Sequence, residues 1–140
     1  MNSAIERLVT LRVRDLMAKG PLTLSPATAI ADAAASLREH RHSAAPVVDA
    51  NQRCVGFLSA TDFLNLFSDS TPDESPSSSI AGQMSTEVHS VSPDTTLLDA
   101  GRAMCARHVH RLPVLDESGQ VVGVVSSLDL VAAMVKAVEE

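Results

Sequence analysis

The sequence predicts a mixed α/β (α+β) chain made of tandem copies of one small unit, each running strand, helix, strand, strand, helix. Three observations predict this. The first is an internal repeat at a constant offset: Pro26, which opens PATAIADA after Ser25, stands 67 residues before Pro93, which opens PDTTLLDA after Ser92. The same offset pairs Met17 with Met84, Thr28 with Thr95, Asp32 with Asp99, Pro46 with Pro113, Asp49 with Asp116, Gly56 with Gly123, Ser59 with Ser126 and Asp62 with Asp129. No gap is needed between Val13–Leu64 and Ile80–Val131, so the register reads as duplication. The second observation is that both copies carry the same punctuation of Ser-Pro and turn residues. The third is composition: 45% of residues are hydrophobic and 2% aromatic, with no Trp or Tyr. That is enough apolar surface for a folded chain, with a core built from Val, Leu, Ile, Ala and Met.

Each copy opens on a short helical turn, Val13 to Met17 and Ile80 to Met84. A brief extended stretch follows, Leu22 to Leu24 and Val88 to Val91. Ser-Pro ends it, because Pro fixes φ and turns the preceding residue away from the helical region. A helix is expected near Ala29 to His40 and Thr96 to Arg107. Leu97, Ala100, Met104 and His108 recur at helical spacing in one copy, and Ile30, Ala33, Ala34 and Leu37 in the other. Two short strands come next: Pro46 to Val48 with Cys54 to Leu58, and Pro113 to Leu115 with Val121 to Val125. Asp49-Ala50-Asn51-Gln52 and Asp116-Glu117-Ser118-Gly119 have turn composition, so each strand pair reads as a hairpin. A second helix starts after Ser59 and after Ser126, with Val131, Met134, Val135 and Val138 as an apolar stripe in the second copy.

The boundaries expected are 1–67 for the first repeat with an N-terminal helix, 68–79 for a flexible Ser/Pro-rich linker, and 80–140 for the second repeat. A single copy has too much surface for its volume to hold a sizeable core. Two copies packed as one module with pseudo-two-fold symmetry would solve that.

Composition also sets exclusions. The net charge of -6 repels a polyphosphate backbone, and aromatic stacking platforms are absent, so nucleic-acid binding is disfavoured. The start MNSAIERLVTLRVRDL lacks an apolar signal core, and no apolar run approaches the ~20 residues of a membrane span. A cytoplasmic location is expected. Cys54 and Cys105 read as buried, reduced thiols. His40-Arg41-His42 and His108-Val109-His110 are out of step with the repeat by one residue and lack further ligands at metal-site spacing, so no metal is expected. No nucleophile elbow, paired-carboxylate cleft or P-loop is present, so no enzyme activity and no required cofactor are expected.

The runs HSAAPVVDANQRCVGFLSATDF and HRLPVLDESGQVVGVVSSLDL resemble the second half of CBS domains, and VRDLM and IAGQMSTEVHSVSPDTTL resemble the first half. The resemblance runs from about Val13 to Val131. It implies a stand-alone CBS-domain pair, or Bateman module, with two clefts between the repeats that hold AMP, ADP, ATP or another adenosyl compound. S-adenosylmethionine and NAD rank below the three nucleotides. The family's ligand motif is Gly, two apolar residues, Ser or Thr, two variable residues and Asp. It stands intact as Gly56 to Asp62 and as Gly123 to Asp129.

The resemblance implies that Asp62 and Asp129 accept hydrogen bonds from ribose hydroxyls and that Ser59 and Ser126 lie near phosphate. The chemistry agrees, since an ionised carboxylate can accept both hydroxyls and a helix N-terminus favours an anion. Ser-x-x-Asp before an apolar run is also a capping box, and the two roles can coexist. Residues ahead of Pro46 and Pro113 are implied to line the clefts. There the copies differ: the second has His110-Arg111-Leu112-Pro113 where the first has Ser43-Ala44-Ala45-Pro46. Thr23-Leu24 and Ser90-Val91 are implied to flank the base. The site with Asp129 and Arg111 is therefore expected to bind more tightly, with the Asp62 site empty, weaker or adenosine-like in preference.

The leading expectation is a regulatory adenosyl-sensing module that is homodimeric and acts on an effector in trans. The alternative is a structural or interaction module with degenerate clefts.

Overall fold

The structure is a computed structural model that describes residues 3–68 and 78–140. The expected linker therefore falls, at 69–77, outside the described residues. The elements in order are α1 (Ser3–Thr10), α2 (Val13–Leu16), β1 (Ala18–Lys19), α3 (Ile30–Glu39), β2 (Ala44–Val48), β3 (Cys54–Ser59), α4 (Ala60–Ser68), a 3-10 turn (Ile80–Gly82), α5 (Leu97–Arg107), β4 (Arg111–Leu115), β5 (Val121–Ser126) and α6 (Ser127–Glu139). The helices and hairpins fall where the periodicity places them. The strand expected ahead of each Ser-Pro shrinks to a single parallel bridge, Leu24 with Val47 and Val91 with Val114. The proline immediately downstream leaves no room for a longer ladder.

The chain folds into two compact units that cut across the sequence copies. One joins Met1–Pro21 to His89–Glu140, and the other is the continuous stretch Leu22–Val88. Each unit is built around one antiparallel hairpin. In the continuous unit β2 pairs with β3, with Ala44 opposite Ser59 and Pro46 opposite Phe57. In the discontinuous unit β4 pairs with β5, with Arg111 opposite Ser126 and Pro113 opposite Val124.

The hairpin turns are set by one aspartate each. Asp49 Oδ1 accepts from the amides of Asn51 and Arg53 at 2.8 and 3.0 Å. Asp116 Oδ1 accepts from the amides of Ser118 and Gln120 at 2.9 and 3.0 Å and from the Ser118 hydroxyl at 2.8 Å. Those bonds, the Ser118 hydroxyl first, hold the Asp116 carboxyl below its ordinary pKa. The turns close through positive φ at Gln52 (65°) and Gly119 (84°).

Residues 112, 114 and 125 face the helices. Leu112, Val114 and Val125 form a buried cluster with Leu97, Ala100, Met104, Leu130 and Ala133. Ala45, Val47 and Leu58 do the same with Leu24, Ala33, Leu37 and Ile80. Because side chains alternate along a strand, Arg111, Pro113 and Ser126 lie on the opposite face, as do Ala44, Pro46 and Ser59.

The stripe of Val131, Met134, Val135 and Val138 is present and points to solvent, at 44–74% exposure, open to the sharing between subunits that its apolarity suggests. The face of α6 that packs inward carries Leu130, Ala133 and Ala137 instead. Small alanines let the helix approach its neighbours closely, and their burial outweighs their modest apolarity.

The crossing between copies has an identifiable anchor. Val13 is fully buried in the discontinuous unit and Ile80 in the continuous one. Burying such a side chain stabilises by about 1.5–3 kcal/mol. Behind Val13, β1 pairs with β5, Lys19 opposite Gly123 and Ala18 opposite Val124. Behind Ile80, Ser85 exchanges two 2.9 Å backbone bonds with Phe57.

Both contacts need a glycine. A Cβ on Gly123 would lie 2.7 Å from Met17 Sδ and 2.9 Å from the Ala18 carbonyl oxygen. One on Gly56 would lie 2.8 Å from Met84 Sδ and 3.0 Å from the Ser85 oxygen. Gly123→Ala is expected to displace β1 and to destabilise the protein by roughly 1–3 kcal/mol, the usual cost of overpacking. Denaturant unfolding measures the loss, and limited proteolysis around Lys19 reports the displacement; an unchanged midpoint would contradict the contact.

Candidate functional site

The Ser and Asp of each motif meet where a hairpin strand turns into a helix. Ser126 is the N-cap of α6. Its hydroxyl accepts from the Asp129 amide at 3.2 Å, and Asp129 Oδ2 accepts from the Ser126 amide at 2.8 Å. This is a complete capping box, which satisfies two backbone donors reciprocally. In the continuous unit Asp62 Oδ2 accepts from the Ser59 amide at 2.7 Å and from the Ser59 hydroxyl at 3.2 Å. The junctions are further pinned to the start of the neighbouring strand. Ser127 N–H donates to the His110 carbonyl at 2.8 Å, and Ala60 N–H donates to the Ser43 carbonyl at 2.8 Å.

The capping box is complete only at Ser126; at Ser59 just its Asp-to-amide half is made, and each aspartate uses one oxygen for this. Oδ1 of Asp62 and Oδ1 of Asp129 take no hydrogen bond among the described residues. All four motif side chains are half-buried. The box holds each carboxylate in place while one oxygen stays available to a hydroxyl donor.

Arg111 stands directly opposite Ser126 in the ladder. Cross-strand neighbours share a face, with Cβ atoms about 4.5–5.5 Å apart. The Arg111 side chain is half-buried and has no ion pair or hydrogen bond among the described residues. Arg7, Arg12, Arg14, Arg102 and Arg107 all have partners: Arg7 reaches the Ala137 carbonyl, Arg12 and Arg14 reach Asp94, Arg102 reaches Asp99 and Arg107 reaches His89. His110 itself is exposed.

The remaining expected site residues divide into two sets. Pro46 and Pro113 are fully buried. Their carbonyls accept from the amides of Leu24 and Val91 at 2.9 and 3.1 Å. The carbonyls of Leu24 and Val91 in turn accept from Val48 and Leu115 at 2.8 and 2.9 Å. With the Leu24 side chain in one core cluster and Val91 packed on the other, these four residues build the frame. Thr23 is half-buried and Ser90 exposed, and each sits one residue ahead of the bridge.

Sequence reasoning paired Met17 with Met84 but missed what they do. Each lies against the motif glycine of the other copy, a pairing that only the exchanged register shows.

Other constellations stay apart. Among the described residues no group of three His, Cys, Asp or Glu could hold a metal ion. The His40 and His42 rings are 6.2 Å apart, centre to centre. Both cysteines are free thiols, but neither is fully buried: Cys105 lies exposed on the outer side of α5, and Cys54 is half-buried, where burial pushes its thiol up while its sulfur donates to the Gly56 carbonyl. A surface depression lined by Ser92, Pro93, Asp94, Leu115, Asp116, Glu117 and Ser118 lies at the turn end of the β4–β5 hairpin, away from Ser126. Its three carboxylates make it unsuited to a phosphate. No described helix is long and apolar enough to cross a membrane.

Two hairpins, each feeding a helix through a glycine-led Ser-x-x-Asp junction, define a tandem α/β repeat fold. The family model of the CBS domain matches residues 13–69 and again 78–136, so the chain belongs to the CBS domain family and carries two copies. It is 33% identical over 119 residues to the CBS domain-containing protein YhcV of Bacillus subtilis, covering 84% of this chain and 81% of that one. The solved structure of CBSX2 in complex with AMP is similar at a TM-score of 0.80 and 26% identity, over 93% of this chain and 99% of that one. The CBS domain pair of protein MJ0100, in complex with 5′-methylthioadenosine and S-adenosyl-L-methionine, is similar at a TM-score of 0.78 and 25% identity, over 86% and 97%.

The chain spans 46% of an uncharacterized protein of Methanocaldococcus jannaschii and 65% of a 17.7 kDa protein of Acidianus ambivalens. It also spans 16% of an A-adding tRNA nucleotidyltransferase of Aquifex aeolicus, at 31% identity.

Proposed function

We propose that this chain is a regulatory binding module for an adenosyl ligand such as AMP, ADP or ATP, and that it performs no catalysis of its own. The observation that carries this is the half-engaged carboxylate in each unit. Asp62 and Asp129 are each fixed by a Ser backbone amide through Oδ2, with Oδ1 free of partners among the described residues. A ribose presents two neighbouring hydroxyls, which suits a preplaced acceptor oxygen. The complexes of CBSX2 with AMP and of the MJ0100 domain pair with adenosyl compounds support the ligand class. A ligand that binds one geometry of the module better than another would shift it toward that geometry and so signal to a partner.

One observation favours the second reading, an interaction module whose clefts bind nothing: the capping box at Ser126 and the Asp62 bond to the Ser59 amide stabilise the helix starts without any ligand. A thermal-shift series with AMP, ADP, ATP, S-adenosylmethionine and NAD separates the two. At about 100 times its Kd a ligand should add roughly 2.7 kcal/mol of stability. Asp129→Asn keeps an acceptor for the Ser126 amide and so keeps the cap, and the double variant with Asp62→Asn should lose most of the shift. A flat response of the unsubstituted protein across the series would leave only the interaction reading.

Self-association belongs to the same proposal. Val131, Met134, Val135 and Val138 form an exposed apolar face along one 13-residue helix, α6. Such a face can pair with its own copy about a two-fold axis. Sedimentation velocity should show a dimer that Met134→Glu converts to monomer with the fold intact; a monomeric unsubstituted protein would remove this part.

A further inference from the structure

We propose that α1 is a releasable strap. It lifts from the discontinuous unit while the rest of that unit stays folded, and the bond from Arg7 to the last turn of α6 sets how often it does so. The inference goes beyond the binding reading above and does not depend on it.

Apolar burial holds α1 weakly. The helix is eight residues long, Ser3–Thr10, and none of them is fully buried. A helix that short is marginal in water on its own, so packing must hold it. Of its large apolar side chains, Ile5 and Val9 are 53% and 57% exposed. Leu8, with Leu11 just beyond the helix, packs against the cluster that contains Leu130 and Ala133, and both leucines stay half-buried.

Arg7 supplies the polar attachment to α6. Its guanidinium donates to the Ala137 carbonyl, in the last turn of that helix. Carbonyls there lack a partner within their own helix, and a cation meets the negative end of the helix dipole. Arg7 Nε also lies 3.7 Å from Glu140 Oε2, with the two side chains 35% and 51% exposed, so this ionic part is modest and screened by salt. The same Nε is buried without a hydrogen bond. The clasp therefore sets one charge-assisted bond against an unmet donor, a balance that suits a contact able to open.

The chain changes character at Leu11. Leu97 N–H donates to the Leu11 carbonyl at 3.0 Å, Val13 N–H to the Thr95 carbonyl at 2.7 Å and Arg14 N–H to the Pro93 carbonyl at 3.0 Å. Val13 is fully buried. Residues 11–14 are thus fastened to the segment that enters α5, and α1 lies just ahead of that fixed point. Rotation about Thr10 and Leu11 is enough to lift it, and the β4–β5 hairpin and the Ser126–Asp129 junction need not move. A weakly packed segment beside a fastened one is where local opening falls at the low end of the stability range. Lifting uncovers the part of the core under Leu8 and releases the last turn of α6.

Amide hydrogen exchange of the full chain, resolved residue by residue by NMR, tests the strap. In the unsubstituted protein the amides of Arg7 to Thr10 should exchange at least about tenfold faster than those of α5 and β5. Arg7→Ala should speed exchange in α1 by a further ten- to hundredfold or so, the worth of a hydrogen bond from a charged group, and leave α5 and β5 unchanged. Arg7→Lys keeps a cation at the end of α6 and should restore part of the protection. If Arg7→Ala leaves α1 unchanged, the clasp assigned to Arg7 is wrong. If α1 exchanges at the rate of α5 and β5 in the unsubstituted protein, or all three accelerate together in the variant, α1 belongs to the core and there is no strap.

Discussion

The bond from the Ser126 amide to Asp129 Oδ2, with its counterpart from Ser59 to Asp62, is the constraint on which the rest depends. It sits where the hairpin strand ends and the helix begins, so it fixes the direction in which the helix leaves. A helix N-terminus exposes orphan amides, and the aspartate satisfies the first of them from within the chain. The same bond immobilises the carboxylate. For the proposed ligand role, a side chain already held by the fold would need little further ordering on binding.

Around that bond each unit repeats one construction. A hairpin closed by a single aspartate presents one face to its helices and the other to the motif serine. A segment from the opposite sequence copy completes the ladder, anchored by Val13 in one case and Ile80 in the other. The glycine that begins each motif is required by that incoming backbone, which a Cβ would meet at 2.9–3.0 Å. The motif therefore carries the close approach at its first position and the helix-start bond at its last, and the two are only six residues apart.

Most of the local structure was legible in the sequence because its causes are local. The Asp49 and Asp116 turns, the helices after Ser-Pro and the Ser-x-x-Asp junctions depend on neighbours within a few residues. The exchange between copies was not legible. The 67-residue register pairs Met17 with Met84 whichever unit each one joins, and only tertiary packing distinguishes the outcomes. The stripe of α6 was legible as a face open to a second subunit, but the true inner face was not, since Ala133 and Ala137 carry too little apolarity to mark it. Within the site, the motif residues and Arg111 were legible as types at fixed spacing. The core placement of Leu24 and Val91, and the opposite hydroxyl directions of Ser59 and Ser126, depend on three-dimensional pairing that no spacing encodes.

The proposed recognition of ribose by a half-engaged carboxylate joins fold to function. It is tested most directly by calorimetric titration with AMP, 2′-deoxy-AMP and 3′-deoxy-AMP under identical conditions. Loss of a hydrogen bond to a charged acceptor corresponds to a weakening of about ten- to hundredfold. At least one deoxy compound should bind weaker by that factor, and Asp129→Asn should narrow the difference. Equal affinity for all three nucleotides would contradict the role assigned to the free aspartate oxygens.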